Sequence, residues 1–147
     1  MKKMLKDIMT ADVVTVTKQD NIYEIAVKMK EHDIGCVPVV EGKRVIGIVT
    51  DRDLVIRGYA EKHSGSTAVE EVMTETCIRA RPDTTVDEAA KLMSEHKVRR
   101  IIVEDNGELA GIVAIGDLAL RPIHEDEAGE ALSRISEPDQ ELVGSRP

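Results

Sequence analysis

Two stretches decide the fold: "GIVTDRDL" at Gly47–Leu54 and "GIVAIGDL" at Gly111–Leu118. They stand 64 residues apart, and working outward from them aligns residues 5–54 with 69–118 without a gap. Met9-Thr10 then falls on Met73-Thr74, Glu24 on Glu88, Ala26 on Ala90 and Met29 on Met93. His32 falls on His96, Val39 on Val103, Gly47 on Gly111 and Asp53 on Asp117. About a dozen identities in fifty gapless positions mark a tandem duplication.

Each copy reads in the same order. A short helical turn ("LKDIMT", "VEEVMT") leads to a strand ("VVTV", "CIRA") and then a helix ("NIYEIAVKMKEH", "TVDEAAKLMSEH"). Asn21 with Glu24 and Thr85 with Glu88 form capping boxes that start both helices. Ile22, Ile25, Ala26 and Met29 form an apolar stripe at helical spacing, as do Val86, Ala89, Ala90 and Met93. Two β-rich runs follow in each copy, joined by the tight turns "EGKR" and "DNGE", and a last helix begins at Thr50 or Ala114. The runs "CVPVV" and "RIIVE" are continuously apolar, which predicts sheets covered on both faces.

The predicted fold class is therefore α/β, with two βαββα halves. A half of some sixty residues buries little surface alone, so the halves are expected to pack about a pseudo-two-fold axis. The expected division is a first repeat over 1–60, a polar linker over 61–67, a second repeat over 68–123 and a tail over 124–147. Thr67 with Glu70 reads as a further capping box into the second copy. In the tail, Ala128, Ala131, Leu132 and Ile135 share one face of a predicted short amphipathic helix.

Composition narrows the function. The chain has 147 residues, 41% apolar and 33% charged, with a net charge of −8. That balance argues against a dedicated nucleic-acid binder, although "KVRR" at 97–100 is a local basic patch. With no Trp or Phe and two Tyr, the core must be aliphatic, and a bound base would lie between aliphatic side chains. Cys36 and Cys77 show no CxxC pattern and read as buried thiols in a reducing compartment. The N-terminus lacks an apolar signal core and no apolar run reaches membrane-spanning length, so the expected location is cytoplasmic. No nucleophile–base pair, metal-ligand cluster or phosphate-cradling glycine loop is visible, and the chain is not expected to be an enzyme.

The tandem "DIMT…HDIGCVPVV…GIVTDRDL" and "EVMT…HKVRRIIV…GIVAIGDL" closely resembles a pair of CBS domains, the modules named after cystathionine beta-synthase. The resemblance spans roughly residues 5–122. It implies a small regulatory module whose paired units commonly form homodimers. It also implies clefts between the halves that take AMP, ADP, ATP or S-adenosylmethionine, with no cofactor required. An effector protein would receive the signal.

The family's site signature, a Ser or Thr three residues before an Asp, is matched by Thr50 and Asp53. In that reading Thr50 and the adjacent amides hold a phosphate, while Asp53 accepts two hydrogen bonds from the vicinal hydroxyls of a ribose. The same pair also serves as a helix cap without any ligand. In the second copy Asp117 is retained, but Ala114 has no hydroxyl and Gly116 replaces Arg52. A weaker ribose-only site and a vestigial one both fit. The resemblance further points to the strand Val14, Thr15 and Val16, and to the run from Ile34 to Val39 with Gly35, Cys36, Val37 and Pro38, whose main chain would read the adenine edge while aliphatic side chains sandwich it. Val37 and Val39 also read as strand core. Arg52, Arg99 and Arg100 are the available cations for a polyphosphate. His32 and His96 sit at helix C-termini, where partial charge suits the dipole. The competing reading is a dimerising interaction module with empty clefts.

Overall fold

The computed structural model describes residues 3–119. The predicted tail helix lies outside the described residues. The element order is a 3-10 turn (Leu5–Asp7), α1 (Ile22–His32), β1 (Cys36–Glu41), β2 (Arg44–Thr50) and α2 (Asp51–Asp53). A π-helical stretch (Leu54–Tyr59) and a second 3-10 turn (Val69–Glu71) follow. The chain continues with β3 (Arg79–Ala80), α3 (Val86–His96), β4 (Arg100–Asp105), β5 (Glu108–Ala114) and α4 (Ile115–Ala119). The architecture is mixed α/β and the two halves repeat it.

The helices form where their caps and stripes place them. Asn21 accepts a hydrogen bond from the Glu24 N–H at 2.9 Å, while Glu24 accepts one from the Asn21 N–H at 3.0 Å. Thr85 and Glu88 reproduce the arrangement on α3. Both helices end on a left-handed residue, Asp33 and Lys97, just after His32 and His96. Ile22, Ile25 and Met29 are buried as the stripe requires, but Ala26 is exposed, so the apolar face of α1 is narrower than that of α3.

The chain divides into two compact units, each of which contains a leader turn from the opposite repeat. One joins residues 3–12 to 78–106 and 110–119; the other comprises Val13–Cys77 with Gly107–Leu109. In the second of these, Val16 pairs in parallel with Val39, β1 pairs antiparallel with β2, and Thr74 pairs antiparallel with Ile48. In the first, β3 pairs in parallel with β4, β5 lies on the far side of β4, and Thr10 pairs antiparallel with Ile112. Leu5 is buried with Val86, Ala89, Met93, Ile101 and Val113, while Val69, Val72 and Met73 are buried with Val16, Ile25, Val37 and Val49. Sequence repeats and packing units are thus offset by one leader.

The recurring glycine of "GIV" follows from this exchange. A Cβ on Gly47 would lie 2.9 Å from Met73 Sδ and 3.0 Å from the Thr74 carbonyl oxygen. On Gly111 it would lie 2.7 Å from Met9 Sδ and 2.8 Å from the Thr10 carbonyl oxygen. The repeated "MT" and the repeated glycine are two sides of one close approach. The capping box expected from Thr67 and Glu70 does not form. Ala68 precedes a single 3-10 turn with no side-chain cap, and the Thr67 carbonyl instead accepts the Ile22 N–H at 3.0 Å.

The core is aliphatic, as the composition requires. Both tyrosines are exposed, Tyr23 at 66% and Tyr59 at 83%. Cys36 is buried, whereas Cys77 is only half-buried, and neither is in a disulfide. The difference follows position: Cys36 opens the covered strand β1, and Cys77 lies in the segment before β3.

Candidate functional site

Thr50 and Asp53 meet where β2 runs into α2. Thr50 Oγ1 accepts the Asp53 N–H at 3.0 Å, and Asp53 Oδ2 accepts the Thr50 N–H at 3.0 Å. The box closes because Thr50 is extended (φ −114°, ψ 165°) while the next residues turn into a helix. It uses only part of either side chain. The Thr50 hydroxyl keeps its proton for donation, and Asp53 Oδ1 accepts no hydrogen bond among the described residues. A cap and a ligand contact can therefore coexist on the same two residues.

Beyond Asp53 the helix widens. The Ala60 N–H bonds to the Val55 carbonyl at 2.8 Å and the His63 N–H to the Gly58 carbonyl at 3.0 Å, both five residues back. Arg57 on this stretch donates to the Met73 carbonyl at 3.0 Å, so the helix carrying Asp53 is tied to the leader that completes the sheet.

Gly35 stands opposite the start of α2. Its carbonyl accepts the Asp51 N–H at 2.9 Å, and a Cβ there would lie 2.9 Å from Asp51 Oδ2. The close approach that the glycine permits is thus to the Asp51 carboxylate. The second repeat keeps the main-chain bond, Ile115 N–H to the Arg99 carbonyl at 2.8 Å, with larger Arg99 opposite uncharged Ile115. Asp51 was not legible as a site neighbour, since only the fold brings it to Gly35. Lys28 was missed for the same reason; its ammonium donates to the Thr15 carbonyl at 3.3 Å from the flank of α1.

The strand residues divide sharply. Val16 and Val37 are core, and both main-chain groups of Val16 are taken: its N–H by the Pro38 carbonyl at 3.1 Å, its carbonyl by the Val40 N–H at 2.8 Å. The main chain of Val16 is thus engaged in the sheet. Cys36 is buried in register with Thr50. Pro38 is buried in the middle of β1 with Thr15 facing it in register, and being proline it offers no N–H toward the Val14 carbonyl. Among the described residues, the Val14 carbonyl has no partner. In strand order, Val14, β1 and the end of β2 lie side by side, so Val14 and Thr50 are about two interstrand spacings apart, roughly 10 Å.

The remaining predicted residues fall as follows. Arg52 is exposed on α2. Arg99 and Arg100 lie in the other packing unit, exposed at the start of β4. Asp117 is there too, and its Oδ2 accepts the Ala114 N–H at 2.8 Å, half of the first repeat's box without the hydroxyl partner. Among the described residues, no group of three or more His, Cys, Asp or Glu side chains is placed to hold a metal, and no helix is long and apolar enough to cross a membrane.

These features define a tandem α/β module in which each strand-to-helix junction carries an aspartate cap. The chain belongs to the CBS-domain family: residues 5–58 and 69–123 each match the CBS domain. It is 48% identical to the Bacillus subtilis (strain 168) protein YlbB, over 95% of this chain and 96% of that one. It is 41% identical to CBS domain-containing protein YhcV of the same organism, over 90% of this chain and 94% of that one. Among solved structures it is similar to the CBS domain pair of protein MJ0100, which was crystallised with 5′-methylthioadenosine and S-adenosyl-L-methionine. That match has a TM-score of 0.74 at 27% identity, covering 82% of this chain and 95% of that one.

Proposed function

We propose that this CBS pair is a non-catalytic regulatory module that binds an adenosine-containing ligand through the Thr50–Asp53 junction of its first repeat. The observation that carries the reading is the pairing of two open acceptors at one end of the first sheet. Asp53 Oδ1 suits vicinal ribose hydroxyls, and the Val14 carbonyl, two strand spacings away, suits the amino edge of adenine. The Thr50 hydroxyl and exposed Arg52 lie beside Asp53, where a phosphate would be met. The adenosine derivatives bound by the MJ0100 pair support the same class of ligand. The signal passes to an effector protein through a change in the module's shape, limited to the ligand's differential affinity for its two states.

A second reading is favoured by a separate observation. Tyr23 on α1 and Val55, Ile56 and Tyr59 on the π-helical stretch are all exposed, and large apolar side chains left in solvent suit homodimerisation. In that reading Thr50 and Asp53 are caps only.

The test is thermal unfolding with AMP, ADP, ATP, S-adenosylmethionine and 2′-deoxy-ATP. Asp53→Asn is the informative variant, because an amide oxygen preserves the cap to Thr50 while removing the charge that strengthens the ribose contact. A saturating ribonucleotide at a hundred times its Kd adds about 2.7 kcal/mol. That increment should shrink in the variant and for the deoxy analogue. No shift with any of these ligands would leave the interaction module as the standing reading.

A further inference from the structure

We propose that Asp51 makes the first-half junction a charge filter. It favours adenosine ligands whose 5′ substituent is neutral or cationic, a thioether or a sulfonium, over 5′-phosphates. The inference rests on the adenosine reading above and adds which chemical class of adenosine ligand the junction accepts.

The two halves share one main-chain frame at this point. The Gly35 carbonyl accepts the Asp51 N–H at 2.9 Å, and the Arg99 carbonyl accepts the Ile115 N–H at 2.8 Å. On that common frame the charges are exchanged. The first half has Gly35 and Cys36 on the strand side and Asp51 on the helix side, whereas the second has Arg99 and Arg100, then Ile115. The Asp51 carboxylate is turned toward the strand, because a Cβ on Gly35 would lie 2.9 Å from its Oδ2 and 3.5 Å from its Oδ1. Oδ1 accepts the Arg52 N–H at 2.8 Å, and among the described residues no cation pairs with either oxygen. Exposed Arg52 is the one guanidinium on α2, set between two carboxylates, Asp51 and Asp53.

Thr50 and Asp51 are consecutive, with Cα atoms about 3.8 Å apart. A charge held at the Thr50 hydroxyl therefore lies inside the roughly 8–10 Å over which salt leaves a field unscreened. At about 4–8 Å in water, each unit charge changes a binding constant about two- to fivefold. A 5′-phosphate brings like charges toward Asp51, a thioether brings none and a sulfonium brings the opposite sign. As the first residue of α2, Asp51 also complements the helix dipole. That role contributes to stability and is indifferent to the ligand's charge, which separates the two experimentally.

The experiment is an NMR titration of the full chain, read at the Gly35, Thr50 and Asp53 amides. The ligands are 5′-methylthioadenosine, S-adenosylmethionine, AMP and ATP, on wild type, Asp51→Asn and Asp53→Asn. Wild type should bind both sulfur ligands more tightly than AMP, with ATP weakest. Asp51→Asn keeps an oxygen for the Arg52 N–H. It should raise AMP affinity about fivefold or more, lower that of S-adenosylmethionine about two- to fivefold and leave 5′-methylthioadenosine unchanged. Added salt should narrow the wild-type gap between AMP and 5′-methylthioadenosine, a comparison that stands even where the variant fails to fold. AMP or ATP binding as tightly as 5′-methylthioadenosine in wild type, or a folded Asp51→Asn with unchanged affinities, overturns the proposal. If the order fails but Asp53→Asn weakens every ligand, the adenosine-site reading survives without this refinement. If no ligand binds, both fall.

Discussion

Replacing Gly111 with alanine tests the leader exchange directly, because the neighbour of the added methyl is main chain. The Cβ would sit 2.8 Å from the Thr10 carbonyl oxygen, 2.7 Å from Met9 Sδ and 2.9 Å from Met9 Cγ. The methionine can move aside, but the carbonyl cannot do so freely. Thr10 is held by two hydrogen bonds to Ile112, N–H to carbonyl at 2.9 Å and carbonyl from N–H at 3.0 Å. Overpacking of this kind costs about 1–3 kcal/mol. For a chain of this size that is roughly 3–10 °C in Tm. Gly116, five residues on in α4, provides the contrast, since a Cβ there meets nothing within 4 Å and its φ is not positive. Gly116→Ala should be neutral or stabilising by up to about 1 kcal/mol, the helix preference for alanine. Urea unfolding of both variants, with Met9→Ala/Gly111→Ala as a double mutant, reads the difference. The double mutant relieves the side-chain contact and leaves the carbonyl contact, so it should recover only part of the loss. Gly111→Ala with wild-type stability would refute the close approach. Equal loss in Gly116→Ala would show that the effect belongs to glycine replacement in general.

The other predictions concern separate parts of the molecule. Leu5 is fully buried against the second repeat's core, so Leu5→Ala should cost about 2–5 kcal/mol in chemical denaturation despite lying at the chain's start. Among the described residues the Ser94 hydroxyl, buried on α3, has no hydrogen-bond partner, and Ser94→Ala should raise stability by about 1 kcal/mol by the same assay. Glu41 is held below the usual carboxylate range by its hydrogen bond to the Lys18 ammonium at 2.9 Å and by that group's charge. A depressed carboxylate stabilises the fold above its ordinary pKa, and that contribution disappears as pH falls through the folded value. An NMR titration should find the Glu41 midpoint lowered in wild type and returned toward the ordinary range in Lys18→Ala.

Sequence by itself determined the elements and their repetition. Local chemistry writes those features: Asn21–Glu24 and Thr85–Glu88 close their own boxes, stripes such as Val86, Ala89 and Met93 bury one helix face, and the positive φ angles of Asn106 and Gly107 make the β4–β5 turn. Thr50 and Asp53 were legible too, because an i,i+3 pair at a strand-to-helix junction interacts within one turn. What the tertiary structure decided lies in contacts distant along the chain. Nothing local to "LKDIMT" says that Leu5 packs on Val86 and Val113, or that Met9 fixes the glycine at 111. Nor does "CVPVV" disclose that its proline removes a donor from Val14, some two dozen residues earlier, while Ile102 keeps one for Ile78. Composition and periodicity specify which face of an element is buried. Which backbone group is left unpaired depends on register between strands, and only the assembled sheet fixes that.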